Sequence, residues 1–154
     1  MGFLTGKTAI ITGAGRAVLK DGSCGSIGYG IATAYAKEGA NLVITGRNIK
    51  KLEAAKQELE SLYGIKVLTV QADVCAGGNN EATVANVVKQ AVDTFGGIQV
   101  LINNAQASAS GVPLTEHTTE QFDLAIYSGL YAAFYYMKAC YPYLAESHGS
   151  VINF

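Results

Sequence analysis

The chain has 154 residues, 49% of them hydrophobic and 15% charged, with a formal net charge of −1. That length suits one domain with a core of its own, and the composition is globular rather than disordered. No block of basic residues exists, which argues against a nucleic-acid partner, since phosphate-backbone binding needs a concentrated positive face.

Cys24, Cys75 and Cys140 are far apart and odd in number, and His117 and His148 stand alone. Neither a disulfide framework nor a metal site is expected; free thiols in a reducing compartment are. The opening "MGFLTGKTAI" lacks the features of a signal peptide. The longest apolar stretch, 130–145, is broken by Lys138 and Pro142 and so does not span a membrane. The expectation is a cytoplasmic protein with no membrane partner.

Along the chain, strands and helices alternate. "TAIITG" (8–13) is a short apolar run stopped by glycine, which predicts a buried strand. A helix is predicted over 27–38, ended by Gly39. "NLVITG" (41–46) predicts a second strand. The next helix, 50–63, places Leu52, Ala55, Leu59 and Leu62 on one stripe, with Gly64 after it. "KVLTVQAD" (66–73) predicts a third strand. In 81–95, Val84, Val87, Val88, Ala91, Val92 and Phe95 keep helical spacing until Gly96 and Gly97 stop it. "IQVLINNA" (98–105) predicts a fourth strand, and a long helix is expected over about 120–145 in spite of Gly129 and Pro142. "SVINF" (150–154) begins a fifth strand.

Such alternation calls for a single α/β domain over 1–154: a doubly wound parallel sheet of Rossmann type, reaching only its fifth strand, with right-handed crossovers. Ligands of such sheets sit beyond the carboxyl ends of the strands, where the strand order reverses. The segment "GFLTGKT" (2–8) resembles a phosphate loop but has one residue too few between its glycines, and no strand precedes it. The better candidate is "TGAGRAVLKDGSCGSIGYG" (12–30), which lies between the first strand and the first helix. Amides at a helix start can receive a pyrophosphate only where no side chain blocks the approach, hence the glycines.

Five stretches in order now point to a known family. "GKTAIITGAG", "SIGYGIATAYAKEGANLVITGRN", "QADV", "VLINNA" and "GSVINF" cover nearly the whole chain, which resembles the N-terminal part of a short-chain dehydrogenase/reductase. The serine in "GSIGYGIA" is similar to the divergent enoyl-reductase branch, although that branch does not usually carry "NNA". The resemblance implies a nicotinamide dinucleotide cofactor and a small-molecule carbonyl or alcohol substrate.

By the same resemblance Gly13 makes the turn, with Gly15 and Arg16 after it, and Ser26, Ile27 and Gly28 approach the cofactor. The family's loop is shorter, so 16–25 contains an insertion of about nine residues, read as a solvent-exposed excursion rather than a flap over the ligand. At the end of the second strand the family's acidic residue is replaced by Gly46, followed by Arg47. A guanidinium there can grip a 2′-phosphate, with Arg16 adding charge, so NADP(H) is preferred over NAD(H); the alternative is that Arg47 only caps a surface turn. Asp73 and Val74 would flank the adenine, and Asn103 to Ala105 would run along the cofactor, Asn103 also bracing the sheet.

Three departures from the family bear on chemistry. Gln106 stands where glycine is usual, which would narrow the nicotinamide side. Gly129 stands where an asparagine normally supports the proton relay. The family's serine and its Tyr-x-x-x-Lys pair follow the fifth strand, beyond Phe154. No catalytic residue is therefore assigned, and the 154-residue chain alone is expected to be inactive, because hydride transfer to a carbonyl needs a proton donor. The competing reading is a non-catalytic dinucleotide-binding module. Tyr127, Tyr131 and Tyr135 repeat every four residues, which suits either an aromatic core stripe or, as family members pair this helix, a homo-oligomer interface.

Overall fold

The computed structural model describes residues 2–74 and 80–154, so Cys75 lies outside the described residues. Strand β1 (Thr8–Thr12) leads through the lengthened loop into helix α1 (Ile27–Lys37). Next come β2 (Asn41–Gly46), α2 (Ile49–Tyr63), β3 (Val67–Gln71), α3 (Asn80–Phe95) and β4 (Val100–Asn103). A short 3-10 turn at Leu114–Glu116 precedes α4 (Thr119–Ala125), a π-helical turn (Ile126–Tyr131), α5 (Ala132–Ser147) and β5 (Ser150–Asn153). No helix among the described residues is long and apolar enough to cross a membrane.

All five strands pair in parallel, in the order β3-β2-β1-β4-β5. The order reverses beside β1, which leaves a crevice between the carboxyl ends of β1 and β4. Ala9 and Ile11 of β1 enter a core layer with Tyr29, Ala32 and Ala36 of α1 and Leu52, Ala55 and Leu59 of α2. Ile10 enters the opposite layer, with Val84, Val87 and Val88 of α3 and Tyr136 and Cys140 of α5. That period-two division of an all-apolar strand is what burial on both faces requires.

Differences from the expected elements have local causes. β3 and β4 are shorter at both ends than the runs that announced them; after β4 the amides of Asn104 and Ala105 leave the ladder and donate to the Thr12 hydroxyl, each at 2.9 Å. Leu62 is not on the buried stripe but 63% exposed. Tyr63 and Ile65 cover that end of the core instead. The long helix is continuous but changes winding in the middle: the Ala132 amide donates to the Tyr127 carbonyl, five residues back. Gly129 sits inside this π turn, a form often found at functional sites.

Candidate functional site

The carboxyl ends of β1, β2 and β4 and the segment after β3 converge on a groove of about 190 Å³ lined by Gly13, Gly46, Arg47, Asp73, Val74 and Ala105, among others. Gly13 turns the chain at φ +71, a conformation open to glycine. Its amide and that of Ala14 donate to the Thr45 carbonyl at 2.9 and 3.1 Å. Gly28 answers to a different demand. A Cβ on it would lie 2.3 Å from the Gly13 carbonyl oxygen and 2.6 Å from Asn104 Nδ2, so only glycine lets α1 come this close to the turn.

Ser26 is the N-cap of α1, its hydroxyl accepting from the Tyr29 amide at 3.4 Å. The Ile27 side chain points to solvent at 65% exposure, and Gly15, Arg16, Ser26, Ile27 and Gly28 are not among the residues lining the groove. First-turn amides have no partner within their own helix, which makes them donors for an anion. Gly15 packs on the start of α2, where a Cβ would meet Lys51 Cβ at 3.1 Å.

The two arginines have separate fates. Arg47 lines the groove, just ahead of Asn48, the N-cap of α2. Arg16 sends its amide to the Lys51 carbonyl at 2.9 Å, and its Nε to Glu58 in an ion pair. Glu58 lies seven residues beyond Lys51, about 10 Å along the helix axis at 1.5 Å per residue. The Arg16 guanidinium thus runs away from the groove. Glu58 also accepts from the Tyr29 hydroxyl at 2.6 Å. The hydrogen bond from Tyr29, and then that from Arg16, hold the Glu58 carboxyl below its ordinary range. Burial, reinforced by Glu58, pushes the Tyr29 hydroxyl up.

Beyond Arg16 the insertion folds on itself. Val18 and Cys24 form an antiparallel bridge, and the Asp21 carboxylate accepts from the Ser23 amide at 2.9 Å and its hydroxyl at 2.6 Å. Leu19 to Gly25 are exposed, so the segment is a small ordered hairpin standing in solvent.

On the other side, Asn103 Nδ2 donates to Asn153 Oδ1 at 2.8 Å, joining β4 to β5. Asn104 Nδ2 donates to the Thr12 carbonyl at 2.8 Å, joining β4 to β1. The roles of Thr12 and Asn104 were not separately legible. A threonine at a strand end is common, and only the β1–β4 adjacency gives its hydroxyl two amides to bind. Val74 is anchored by Asn80, whose Nδ2 donates to the Val74 carbonyl at 2.6 Å.

A second cavity of about 590 Å³ adjoins the groove, lined by Gln106, Gly129, Leu130, Phe134, Met137 and Phe154, among others. Gln106 borders both spaces. Ser128, buried in the π turn, accepts from the Ala107 amide at 2.9 Å and donates to main-chain carbonyls nearby, which latches the loop after β4 to the helix.

Strand order, parallel crossovers and the glycine turn define a Rossmann-type fold. The family described as enoyl-(acyl carrier protein) reductase matches residues 22–154. A 12α-hydroxysteroid dehydrogenase of Clostridium sp. is 62% identical over 100% of this chain and 57% of its own length. Among solved structures, L-sorbose reductase from Gluconobacter frateurii, complexed with NADPH and L-sorbose, is 29% identical with a TM-score of 0.82, covering 98% of this chain and 52% of that one. NAD+-bound xylitol dehydrogenase is 26% identical with a TM-score of 0.83, covering 98% and 53%. The chain spans little more than half the length of these relatives. It belongs to the short-chain dehydrogenase/reductase family of oxidoreductases.

Proposed function

We propose that the protein to which this chain belongs is an NADP(H)-dependent oxidoreductase that moves hydride between the nicotinamide and a secondary alcohol or ketone, with a hydroxysteroid as the substrate class. The observation that carries the cofactor choice is the end of β2. There Gly46 and Arg47 line the groove where the family's carboxylate would repel a 2′-phosphate. The substrate class is supported by the 62% identity to a 12α-hydroxysteroid dehydrogenase across the chain's full length.

In this reading the cofactor supplies the hydride, and the chain's own residues bind and orient it. The turn at Gly13 and the close packing at Gly28 bring the start of α1 against the end of β1, where its first-turn amides would receive the pyrophosphate. Arg47 pairs with the 2′-phosphate, with Arg16 held by Glu58. Asp73 and Val74 form the adenine side of the groove, and Ala105 its inner wall. By the family resemblance the serine, tyrosine and lysine of the proton relay follow β5, so the proposal concerns the whole protein rather than these 154 residues by themselves.

The test is titration of the purified protein with NADPH and NADH, followed by dinucleotide fluorescence. NADPH should bind more tightly. Arg47→Ala should weaken NADPH about tenfold or more, the value of a charge-assisted hydrogen bond, and leave NADH nearly unchanged. Equal affinities in the wild type, or an Arg47→Ala effect shared by both, would refute the preference.

A further inference from the structure

The two oddities at positions 106 and 129 meet in space. A Cβ placed on Gly129 would lie 3.6 Å from Gln106 Nε2 and 3.7 Å from its Cγ, so the glutamine side chain lies over the bare Cα of the π turn. Its backbone is fixed on both sides, by Ala105 donating to Thr12 and Ala107 donating to Ser128. The Gln106 side chain is exposed, and it stands on the partition between the groove and the larger cavity. Beyond it the cavity wall is apolar, from Leu130, Phe134, Met137 and Phe154.

We infer that Gln106 and Gly129 act as one unit, in which the loop glutamine occupies the space left by the bare helix position and presents its carboxamide to the oxygen of the substrate. This rests on the proposed oxidoreductase reading. A carboxamide suits an alcohol/ketone pair because it both donates and accepts: Nε2 can donate to a ketone oxygen, and Oε1 can accept from a hydroxyl. The bare Gly129 is part of the device: a Cβ there would meet Gln106 in ordinary van der Waals contact, but a longer side chain would share the space the glutamine occupies.

The experiment is a set of variants of the whole protein, assayed with a 12α-hydroxysteroid and NADP+ and, separately, for NADPH binding and thermal midpoint. Gln106→Leu keeps the bulk and removes the hydrogen bonds. It should lower kcat/KM about tenfold while the NADPH Kd moves less than about twofold and the midpoint stays put. Gly129→Asn alone should lower the midpoint, because the carboxamide beyond its Cβ enters the space of the Gln106 side chain. Gln106→Gly with Gly129→Asn, which returns a carboxamide from the helix side, should recover both midpoint and turnover. A Gln106→Leu protein that turns over like the wild type, or whose loss lies wholly in the NADPH Kd, would overturn the inference alone. A wild type that binds neither dinucleotide would overturn the function reading and the inference with it.

Discussion

Two glycines near the groove show how differently one residue type is required. At Gly13 the backbone sits at φ +71, and at Gly28 the conformation is ordinary but the neighbouring carbonyl leaves no space. Gly28→Ala must push α1 off the turn, because its Cβ would sit 2.3 Å from a backbone oxygen that cannot move aside. We expect a loss of about 1–3 kcal/mol, the usual range for overpacking, together with weakened NADPH binding. Calorimetry and a dinucleotide titration on the same preparation check it; an unchanged melting temperature would mean the helix start yields more easily than the geometry implies.

Elements are tied together near the site by one carboxylate. Glu58 on α2 takes the Tyr29 hydroxyl from α1 and Arg16 from the loop after β1, so three segments around the glycine turn share one anchor. Its folded pKa lies below the ordinary 4.5, so the carboxylate contributes stability above that value, and the contribution disappears as pH falls through the folded pKa. The wild-type melting temperature should fall on acidification below about 4.5, and Glu58→Gln should lose stability at neutral pH but converge with the wild type in acid. Parallel pH profiles of the two proteins would show it. A constant gap between the curves would assign the effect to packing rather than to the charge.

At the scale of the whole molecule, one group of exposed apolar residues gathers around β5 and the adjoining helix. β5 is the sheet's edge, with Val151 39%, Ile152 41% and Phe154 70% exposed. Phe134 on the nearby helix is 52% exposed. Tyr127, Tyr131 and Tyr135 form a ladder with ring centroids 5.2 and 6.1 Å apart. An edge strand whose outer side is open and carries exposed apolar side chains is a template for association. The 154-residue chain should therefore sediment as more than a monomer at micromolar concentration, and Ile152→Lys, a charge on the edge, should shift it toward monomer. A wild-type chain that stays monomeric across the concentration range would rule this out.

The fold was legible because its signals are local. Apolar runs of strand length, helical spacing between glycine stops, and the loop between first strand and first helix all lie within short windows, and their order allows few topologies. The places of Gly13 and Arg47, one residue beyond β1 and β2, were legible for the same reason. The partners of Arg16 were not. Nothing at position 16 announces a carboxylate 42 residues away, and only the docking of α2 beside the loop brings Glu58 within reach. The π turn was equally hidden, since its one-residue change in winding leaves the apolar spacing almost intact. Gln106 and Gly129 were visible as separate departures 23 positions apart. That they share one space was decided by the tertiary structure, because the sheet places the loop after β4 against the middle of that helix.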